Sequence, residues 1–442
     1  VLDTWLAARV AERELPSVAI GIVHDQDVVW SKAYGFADVA KKAPATTKTG
    51  YRIASLSKTF TATAILQLRD AGKLQLDDPV AKHLAWFTPK NAHPGEPVIT
   101  IRHLLTHTSG LPRESAASWY WNDMVFPTRE EMIAALAKQE TVFPAETQYK
   151  YSNLALAIAG DVVERLSGER YADYLTRHVL APLGMNDTHV IPTPDLPGLA
   201  VGYGRRVPGK LRAISKFTDL KGLAACGNLS STVDDLAKWV AFQMRDEGPP
   251  APDAVLKPST LREMHRVHWL QSSWKSGRGL GFSVRRVEDE VRYGHGGAVS
   301  GHKTSFEVAP ASKVAVIVLT NEDDGRPGEI RDMVFKLVEP ALKKAGEEKE
   351  PAKPKGDWSR FAGTYEWEGD EVHVMLLDGE LALVDTSDDD PWEERIRLAP
   401  VSASSFRMKG GGTEGELVVF ELDEKGNVRR MTAGDSYYIP KR

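Results

Sequence analysis

The chain has 442 residues, of which 42% are hydrophobic and 26% are charged, and its formal net charge at pH 7 is -5. This composition predicts a soluble globular chain of two domains and excludes fibrous and intrinsically disordered classes. The acidic balance, without basic runs that carry interleaved aromatics, argues against a nucleic-acid partner. Cys226 is the single cysteine, so the chain forms no internal disulfide.

No apolar run approaches the roughly 20 residues that a membrane-spanning helix needs, so we expect no membrane span. Val1 opens the chain without a signal peptide, as the mature end of a processed protein would. Two locations therefore stay open, one periplasmic or secreted after signal removal and the other cytoplasmic.

The first 72 residues predict a helix, a hairpin and a second helix. The first helix covers residues 2–14, and the hairpin strands cover residues 17–26 and 27–37. The second helix begins at Ser55 and ends near Gly72. Apolar residues at helical spacing support it, namely Phe60, Ala64, Ile65 and Leu68.

Ser55 is the candidate nucleophile of the chain. Lys58 lies three positions later, so the hydroxyl and the amine share one helical face about one turn apart. A serine becomes nucleophilic beside a base, and a helix N-terminus adds backbone N–H groups where negative charge develops. The alternative interpretation of Ser55 is a helix cap beside a solvated lysine.

The same Ser-x-x-Lys spacing occurs twice more, at Ser272 with Lys275 and at Ser300 with Lys303. The first of these lies in a Ser/Gly-rich loop and the second in a strand turn, where side chains three apart need not converge. We therefore favour Ser55, which has the helical context.

His103 and His107 are spaced as zinc ligands on a helix would be. The zinc-protease pattern needs Glu directly after the first histidine, and Leu104 stands there. We interpret both histidines as packing or hydrogen-bonding residues, and we expect neither a metal nor a cofactor. The chain also lacks the Gly-x-Ser-x-Gly elbow of the α/β-hydrolases.

Residues 114–124 are unusually aromatic for a polar loop. Trp119, Tyr120 and Trp121 could wall a substrate pocket, because binding sites favour aromatic linings. The alternative is a small satellite core.

Tyr151, Ser152 and Asn153 form a second polar tripeptide worth comparing with residues 120–122. Tyr151–Asn153 is the better candidate for a functional site, because it directly precedes a predicted helix at residues 154–168. A loop-to-helix junction holds its polar side chains in a fixed place.

Strands are predicted at residues 279–289, 290–297, 303–310 and 313–321, followed by a helix at 329–346 that would pack back on the sheet. Together with the first hairpin they form an antiparallel sheet flanked by helices. An all-helical region holding Ser55 and the Tyr151 loop lies beside it, with the active site between the two.

Residues 345–357 are charged and contain proline, which is typical of a linker. Eight short strands alternate with Gly/Asp turns in residues 358–442, which predicts a small closed β-barrel. This segment has 10 Lys and Arg against 18 Asp and Glu, a net charge of -8. It shows no catalytic pattern, and its long loops at 385–392 and 409–415 are expected either to shape access to the active site or to belong to a solubilising or dimer-forming appendage.

The chain resembles the serine β-lactamase-related family of the class C and DD-peptidase type, which also contains esterases and D-aminopeptidases. The segments that carry the resemblance occur in family order and are SLSK at 55–58, IRHLLTHTSGLP at 101–112, YSN at 151–153, PLGMNDT at 182–188, GNLSSTVDDLAKW at 227–239 and GHGGAVSG at 294–301. It implies an α+β fold with a β-lactamase/transpeptidase-like sheet in residues 1–344. Residues 358–442 resemble the lipocalin-like domain appended to some members.

The resemblance implies a cofactor-free serine hydrolase that works through an acyl-enzyme. Ser55 would attack the substrate carbonyl, while Lys58 and Tyr151 share the base work. Asn153 would hydrogen-bond a substrate amide or hold Lys58. The backbone N–H groups of Ser55 and Ala298 would form the oxyanion hole.

One motif departs from the family pattern. Residues His295, Gly296 and Gly297 stand where β-lactamases and DD-peptidases have Lys-Thr-Gly, so the lysine that meets a substrate carboxylate is absent. The glycines are expected to let a substrate backbone approach the strand edge closely. The alternative for His295 is a hydrogen-bonded strand histidine with no part in turnover.

This departure favours small ester substrates, or amides and peptides with an N-terminal D-residue, over β-lactams. A β-lactamase or DD-peptidase is the alternative enzyme. A penicillin-receptor-like protein that is acylated without turnover is the alternative outside catalysis. The partners expected are therefore the small-molecule substrate and, as a possibility, further copies of the chain.

Overall fold

The computed structural model describes residues 1–90, 92–118, 124–248, 254–347, 357–385 and 390–441. The chain divides into two compact units, Val1–Lys343 and Lys344–Arg442. Among the described residues, no helix combines the length and the apolar character that crossing a membrane requires.

The helices belong almost entirely to the first unit. They are α1 (Leu2–Glu12), α2 (Ser57–Asp70), α3 (Val80–His83), α4 (Ile101–Thr106), α5 (Arg129–Leu136), α6 (Asn153–Ser167), α7 (Tyr171–Leu175), α8 (Ala224–Gly227), α9 (Val233–Gln243), α10 (Pro258–His265) and α11 (Pro327–Glu347). The strands of the first unit are β1 (Ser17–His24), β2 (Asp27–Asp38), β3 (Ala43–Pro44), β4 (Tyr51–Arg52), β5 (Ser230–Ser231), β6 (Trp269–Leu270), β7 (Ser276–Arg278), β8 (Ser283–Val287), β9 (Glu290–Val299), β10 (His302–Ala309) and β11 (Val314–Thr320).

Nine of these strands form one antiparallel sheet in the order β3-β2-β1-β11-β10-β9-β8-β7-β6. Strands β1 and β11 lie at its centre and are apolar on both faces, as a strand covered on both sides must be. On one face Val18, Ile20 and Ile22 pack with residues of α1 and α11. On the other face Ala19 and Val23 join the larger core that contains α2, α6 and α9. The expected helix at residues 329–346 does pack back on the sheet, as α11.

The second unit is a closed antiparallel barrel of eight strands. They are β12 (Gly363–Trp367), β13 (Asp370–Leu377), β14 (Glu380–Val384), β15 (Ile396–Pro400), β16 (Ser405–Lys409), β17 (Leu417–Leu422), β18 (Val428–Ala433) and β19 (Ser436–Pro440). Large side chains fill the interior, and the short helical turn Ser359–Phe361 adds the fully buried Phe361 to it.

The predicted α+β class is confirmed, with the helix-flanked antiparallel sheet followed by a barrel. Helix α11 continues to Glu347 and so enters the segment 345–357 that was expected to be a linker. Most of that segment lies outside the described residues, and the proposed boundaries at 344 and 358 remain predictions.

Candidate active site

Ser55 lies in a single 3₁₀ turn, Ala54–Leu56, at the entrance to α2. The α-helix itself begins at Ser57, two residues later than expected, because the chain first has to turn out of β4. Ala54 has φ +49°, a left-handed conformation that non-glycine residues seldom adopt. This turn sets Ser55 at the wall of a cavity of about 680 Å³.

Lys58 places its ammonium beside the Ser55 hydroxyl. The Nζ atom donates to Ser55 Oγ at 3.0 Å, to Asn153 Oδ1 at 2.8 Å and to the Cys226 carbonyl at 2.6 Å. The side chain is fully buried, and an ammonium has three protons to donate. The three acceptors therefore match a protonated Lys58 and hold it in one position.

Tyr151 approaches Ser55 from a different part of the chain. Its hydroxyl donates to Ser55 Oγ at 2.8 Å. The next residue, Ser152, caps α6 by accepting the Ala155 N–H at 2.9 Å and donates to the Pro112 carbonyl at 2.7 Å. The loop-to-helix junction thus fixes the tyrosine from one side, as the sequence predicts.

His107 supports Tyr151 from behind. The two rings stack with centroids 4.3 Å apart, and His107 Nδ1 accepts the Ser152 N–H at 3.1 Å. Burial, together with the positive charge of Lys58, holds the pKa of His107 well below its usual value. A neutral histidine here packs against the phenol without adding a charge, which agrees with the packing interpretation of the sequence.

His103 also acts locally, because its Nδ1 accepts the Thr100 N–H and closes a capping box on the short helix α4. No group of three or more His, Cys, Asp or Glu side chains within the described ranges is arranged to hold a metal.

Strand β9 supplies the opposite wall of the cavity. Strand β8 begins at Ser283, opposite Gly294, so residues 295–299 extend past it. These five residues line the cavity that contains Ser55. The strand edge that contains Ala298 therefore lies at the same cavity as the candidate nucleophile.

His295 is neutral and buried in this wall. Its Nδ1 is 2.6 Å from the Gly296 carbonyl, which can only accept, so Nδ1 carries the proton and Nε2 is an acceptor. Burial first, and then the charge of Lys58, lower the pKa of His295 to about 3. The side chain cannot supply the positive charge of the lysine that it replaces.

The two glycines of this motif have different surroundings. A Cβ on Gly297 would lie 2.3 Å from the Ile53 carbonyl, whereas a Cβ on Gly296 would have Thr304 O, at 3.9 Å, as its nearest neighbour. Gly297 therefore allows β9 to approach the segment that leads into Ser55. The room expected for a substrate backbone is found at Gly296.

Cationic side chains dominate the cavity lining. They are Arg113, Arg278, Lys303 and Arg331, and the described lining contains no Asp or Glu. Arg278 Nη2 donates to the Tyr149 hydroxyl at 2.6 Å, which fixes it over that ring. Lys303 belongs to one of the rejected Ser-x-x-Lys pairs, and its partner Ser300 lies in the turn between β9 and β10.

The structure brings together eight of the residues named from the sequence, which are Ser55, Lys58, Tyr151, Asn153, His295, Gly296, Gly297 and Ala298. Among them, Gly297 is the packing contact. Trp119, Tyr120 and Trp121 lie outside the described residues. Sequence reasoning missed the Cys226 carbonyl and Glu114. Glu114 directly follows the recognised stretch 101–112 and Arg113, but no spacing rule ties it to Asn153.

Known proteins resemble this chain over most of its length. Residues 2–337 match the family model described as β-lactamase. The chain belongs to the β-lactamase family. Within this family it is 24% identical over 427 residues to penicillin-binding protein 4* of Bacillus subtilis (strain 168), covering 89% of this chain and 88% of that protein. It is 31% identical over 324 residues to Protein flp of Staphylococcus aureus (strain MW2), covering 72% of this chain but 62%, less than two thirds, of that protein.

Two solved structures show the same fold. The octameric penicillin-binding protein homologue from Pyrococcus abyssi superposes with a TM-score of 0.66 at 25% identity, over 100% of this chain and 99% of that one. EstCE1, a hydrolase with promiscuous acyltransferase activity, superposes with a TM-score of 0.64 at 24% identity, over 76% of this chain and 97% of that one. The first of these matches extends over the whole of this chain, and the second is to a hydrolase.

Proposed function

We propose that this protein is a serine hydrolase that acts on carboxylic esters through an acyl-enzyme, with Ser55 as nucleophile. One observation carries the proposal: Ser55 Oγ lies 3.0 Å from Lys58 Nζ and 2.8 Å from the Tyr151 hydroxyl. A serine between a cation and a phenol can lose its proton as it attacks a carbonyl. Membership of the β-lactamase family supports the same chemistry.

The proton of Ser55 leaves through Tyr151 in this scheme. Lys58 already donates to three acceptors and serves by its charge. Tyr151 accepts the proton as a phenolate, after the hydroxyl proton that it donates to Ser55 Oγ in this structure has passed to solvent. Tyr151 then returns the proton to the departing alcohol. A water molecule releases the acyl group from Ser55 by the reverse sequence. Such general-base help is typically worth ~10²- to 10⁴-fold in rate.

The tetrahedral intermediate needs donors for its oxyanion. The backbone N–H groups of Ser55 and Ala298 are the proposed pair, since residues 295–299 extend past β8 and line the same cavity as Ser55. Losing one such donor typically costs roughly 3 to 4 kcal/mol of transition-state stabilisation.

Esters without an ammonium group suit the cavity better than peptides or amides with a free N-terminus. Four cationic side chains and no described carboxylate line it, which disfavours a substrate with a free ammonium group. The carboxylate of a β-lactam would meet these cations and not His295, which is neutral. We therefore rank esters first, and peptides or amides with an N-terminal D-residue second.

The test replaces Ser55 by alanine and measures steady-state hydrolysis of a short-chain p-nitrophenyl ester. Ser55→Ala should abolish turnover, whereas the matched control Ser272→Ala, at another Ser-x-x-Lys serine, should keep it. Full activity in Ser55→Ala would refute the proposal.

A substrate comparison then separates the alternatives. The wild-type protein is assayed side by side with a p-nitrophenyl ester, D-alanyl p-nitroanilide and a chromogenic cephalosporin. The ester should give the highest kcat/KM. Cephalosporin hydrolysis far above the other two would identify a β-lactamase, and a stoichiometric burst without steady turnover would identify a penicillin-receptor-like protein.

A further inference from the structure

A side-chain carboxylate stands behind the residues that contact Ser55. Asn153 Nδ2 donates to Glu114 Oε1 at 2.6 Å, and Asn153 Oδ1 accepts from Lys58 Nζ at 2.8 Å. Lys58 in turn donates to Ser55 Oγ at 3.0 Å. A continuous line of hydrogen bonds thus joins Glu114 to the nucleophile through two side chains.

The direction of the Asn153 amide matters for this line. An asparagine side chain has one accepting oxygen and one donating nitrogen, and Lys58 can use only the oxygen. Because Glu114 accepts, it selects the orientation in which Nδ2 points towards itself and Oδ1 towards Lys58. Without an acceptor at this place the amide is free to rotate and to turn its NH₂ group against the ammonium.

Glu114 is built rigidly into the fold. The Asn153 and Leu154 N–H groups both donate to the neighbouring Arg113 carbonyl, at 2.8 and 3.2 Å, and Gln139 donates to the Glu114 carbonyl at 2.7 Å. The Glu114 side chain is 15% exposed, and its second oxygen, Oε2, has no hydrogen-bond partner among the described residues. A buried carboxylate oxygen without a partner is unfavourable for stability, so packing alone does not account for a glutamate at this position.

We propose that Glu114 is a positioning residue of this active site, which orients the Asn153 amide for Lys58 and places a negative charge behind the ammonium. The inference rests on the proposed function of Ser55 and names a further residue for it. Glu114 itself neither contacts Ser55 nor lines the cavity, and it acts through Asn153, which does line it.

The charged groups around this line are few. Arg113 Nε lies 3.4 Å from Glu114 Oε1, and the Arg113 guanidinium also stands 5.1 Å from the centre of the Tyr151 ring. The titratable groups that face Lys58 are Tyr151, His107, His295 and the Cys226 thiol, in addition to Glu114. Both histidines are held neutral and burial raises the pKa of the thiol to about 11, so Glu114 is the described carboxyl group on this line. Burial raises the pKa of Glu114 as well, whereas the hydrogen bond from Asn153 and the charges of Arg113 and Lys58 oppose that rise and favour the carboxylate.

The test compares two replacements of Glu114 by the pH profile of kcat/KM for the p-nitrophenyl ester. Glu114→Leu removes the acceptor, and kcat/KM should fall about 100-fold, as small misplacements of catalytic groups do. Glu114→Gln keeps an accepting oxygen of the same shape but removes the charge. It should retain most of the plateau rate and shift the alkaline limb of the profile about one unit to lower pH, because without the carboxylate the Lys58 ammonium, whose charge the proposed mechanism uses, loses its proton more easily.

Glu140→Gln is the matched control, since Glu140 is an exposed glutamate that pairs with Lys90 and should leave both readouts unchanged. A merely structural Glu114 would leave the profile of Glu114→Gln in place, and this result would overturn the inference. Unchanged kcat/KM in a folded Glu114→Leu would overturn it as well. If Glu114→Leu does not fold, the profile of Glu114→Gln decides. Failure of the proposed function is a separate result, because it appears as turnover in Ser55→Ala.

Discussion

Within the described ranges, two side chains hydrogen-bond to the Ser55 hydroxyl, and the two histidines near the site are neutral. Burial lowers the pKa of both His107 and His295, so neither titrates in the neutral range. The proposed proton exchange therefore involves Lys58 and Tyr151, the two side chains that hydrogen-bond to Ser55 Oγ among the described residues. This division explains why a cavity with two buried histidines beside a serine need not work as a Ser-His pair.

Removing the Tyr151 hydroxyl tests this division directly. Tyr151→Phe keeps the ring stacked on His107 but loses the 2.8 Å hydrogen bond to Ser55 Oγ. We expect kcat for the ester to fall ~10²- to 10⁴-fold with little change in the melting temperature. Tyr34→Phe, which removes a hydroxyl that donates to Asp3, is the control for loss of a phenol elsewhere. A kcat within a factor of two of wild type in Tyr151→Phe would contradict the role.

A second residue predicts how stability depends on pH. Glu322 is fully buried, and neither of its carboxyl oxygens has a hydrogen-bond partner among the described residues, because the nearby Thr320 hydroxyl donates to the Lys303 carbonyl. Burial raises the pKa of Glu322 from 4.5 to about 8. The folded protein therefore holds a proton that the unfolded chain has lost between these values, and stability falls as the pH rises from about 4.5 to about 8.

Glu322→Gln removes this dependence. The variant and the wild type should have the same free energy of unfolding near pH 4.5. Above this pH the variant should become increasingly more stable than the wild type, and the difference should level off above about pH 8. Urea unfolding at a series of pH values measures it. A wild-type advantage that grows with pH would mean that the Glu322 carboxylate has a stabilising partner.

The sequence identifies those site residues that local spacing can indicate. Ser55 and Lys58 share a helical face, and Tyr151 and Asn153 flank a helix start, so local patterns indicate them. The Cys226 carbonyl and Glu114 reach Lys58 and Asn153 only through tertiary packing. A backbone carbonyl carries no sequence signature, because every residue has one.

Among the elements, the contact between β9 and the turn before α2 decides the geometry of the site. Thr304 Oγ1 donates to the Ile53 carbonyl at 3.0 Å, and Gly297 lets the strand come close to the same carbonyl. Of the proposed oxyanion donors, Ala298 directly follows Gly297, and Ser55 lies two residues after Ile53. The distance between the two backbone N–H groups therefore depends on Gly297 having no side chain, because a Cβ there would meet the Ile53 carbonyl.

A pair of glycine variants separates packing from substrate access. Gly297→Ala should push β9 away from Ile53, with a loss of stability of about 1–3 kcal/mol and a fall in kcat of about 100-fold. Gly296→Ala is the matched control and should stay within about 0.5 kcal/mol of wild type, since a Cβ there has room. Thermal unfolding and ester kinetics on both variants provide the check. Equal effects of the two substitutions would contradict this account.

Element existence was easier to predict than element ends. All eight strands predicted for residues 358–442 are present, because alternating apolar residues and Gly/Asp turns mark each one. The sequence pattern predicts the start of α2 two residues too early. The 3₁₀ turn around Ser55 follows from hydrogen bonds of the Ile53 backbone with Leu229 and Thr304. Such long-range contacts leave no mark on local periodicity.

In the whole molecule, all described groups proposed for catalysis lie in the first unit, Val1–Lys343. The second unit is a separate acidic barrel with its own packed interior. Its proposed access loop at residues 385–392 lies partly outside the described residues. The penicillin-binding protein homologue from Pyrococcus abyssi is octameric.

Ending the chain after Glu347 tests what the barrel contributes. The truncated protein retains α11 and every proposed catalytic residue, so Ser55 should remain acylable and ester turnover should stay within about threefold of the full chain. Residues 358–442 carry a net charge of -8, from 10 Lys and Arg against 18 Asp and Glu, which would attract cationic substrates if these residues shape access. The ratio of kcat/KM for a cationic ester to that for its neutral isostere should then fall on truncation, most clearly at low salt. An unchanged ratio in a well-folded truncation would leave the barrel a solubilising or assembly module, and size-exclusion chromatography of both proteins would show whether it holds copies of the chain together.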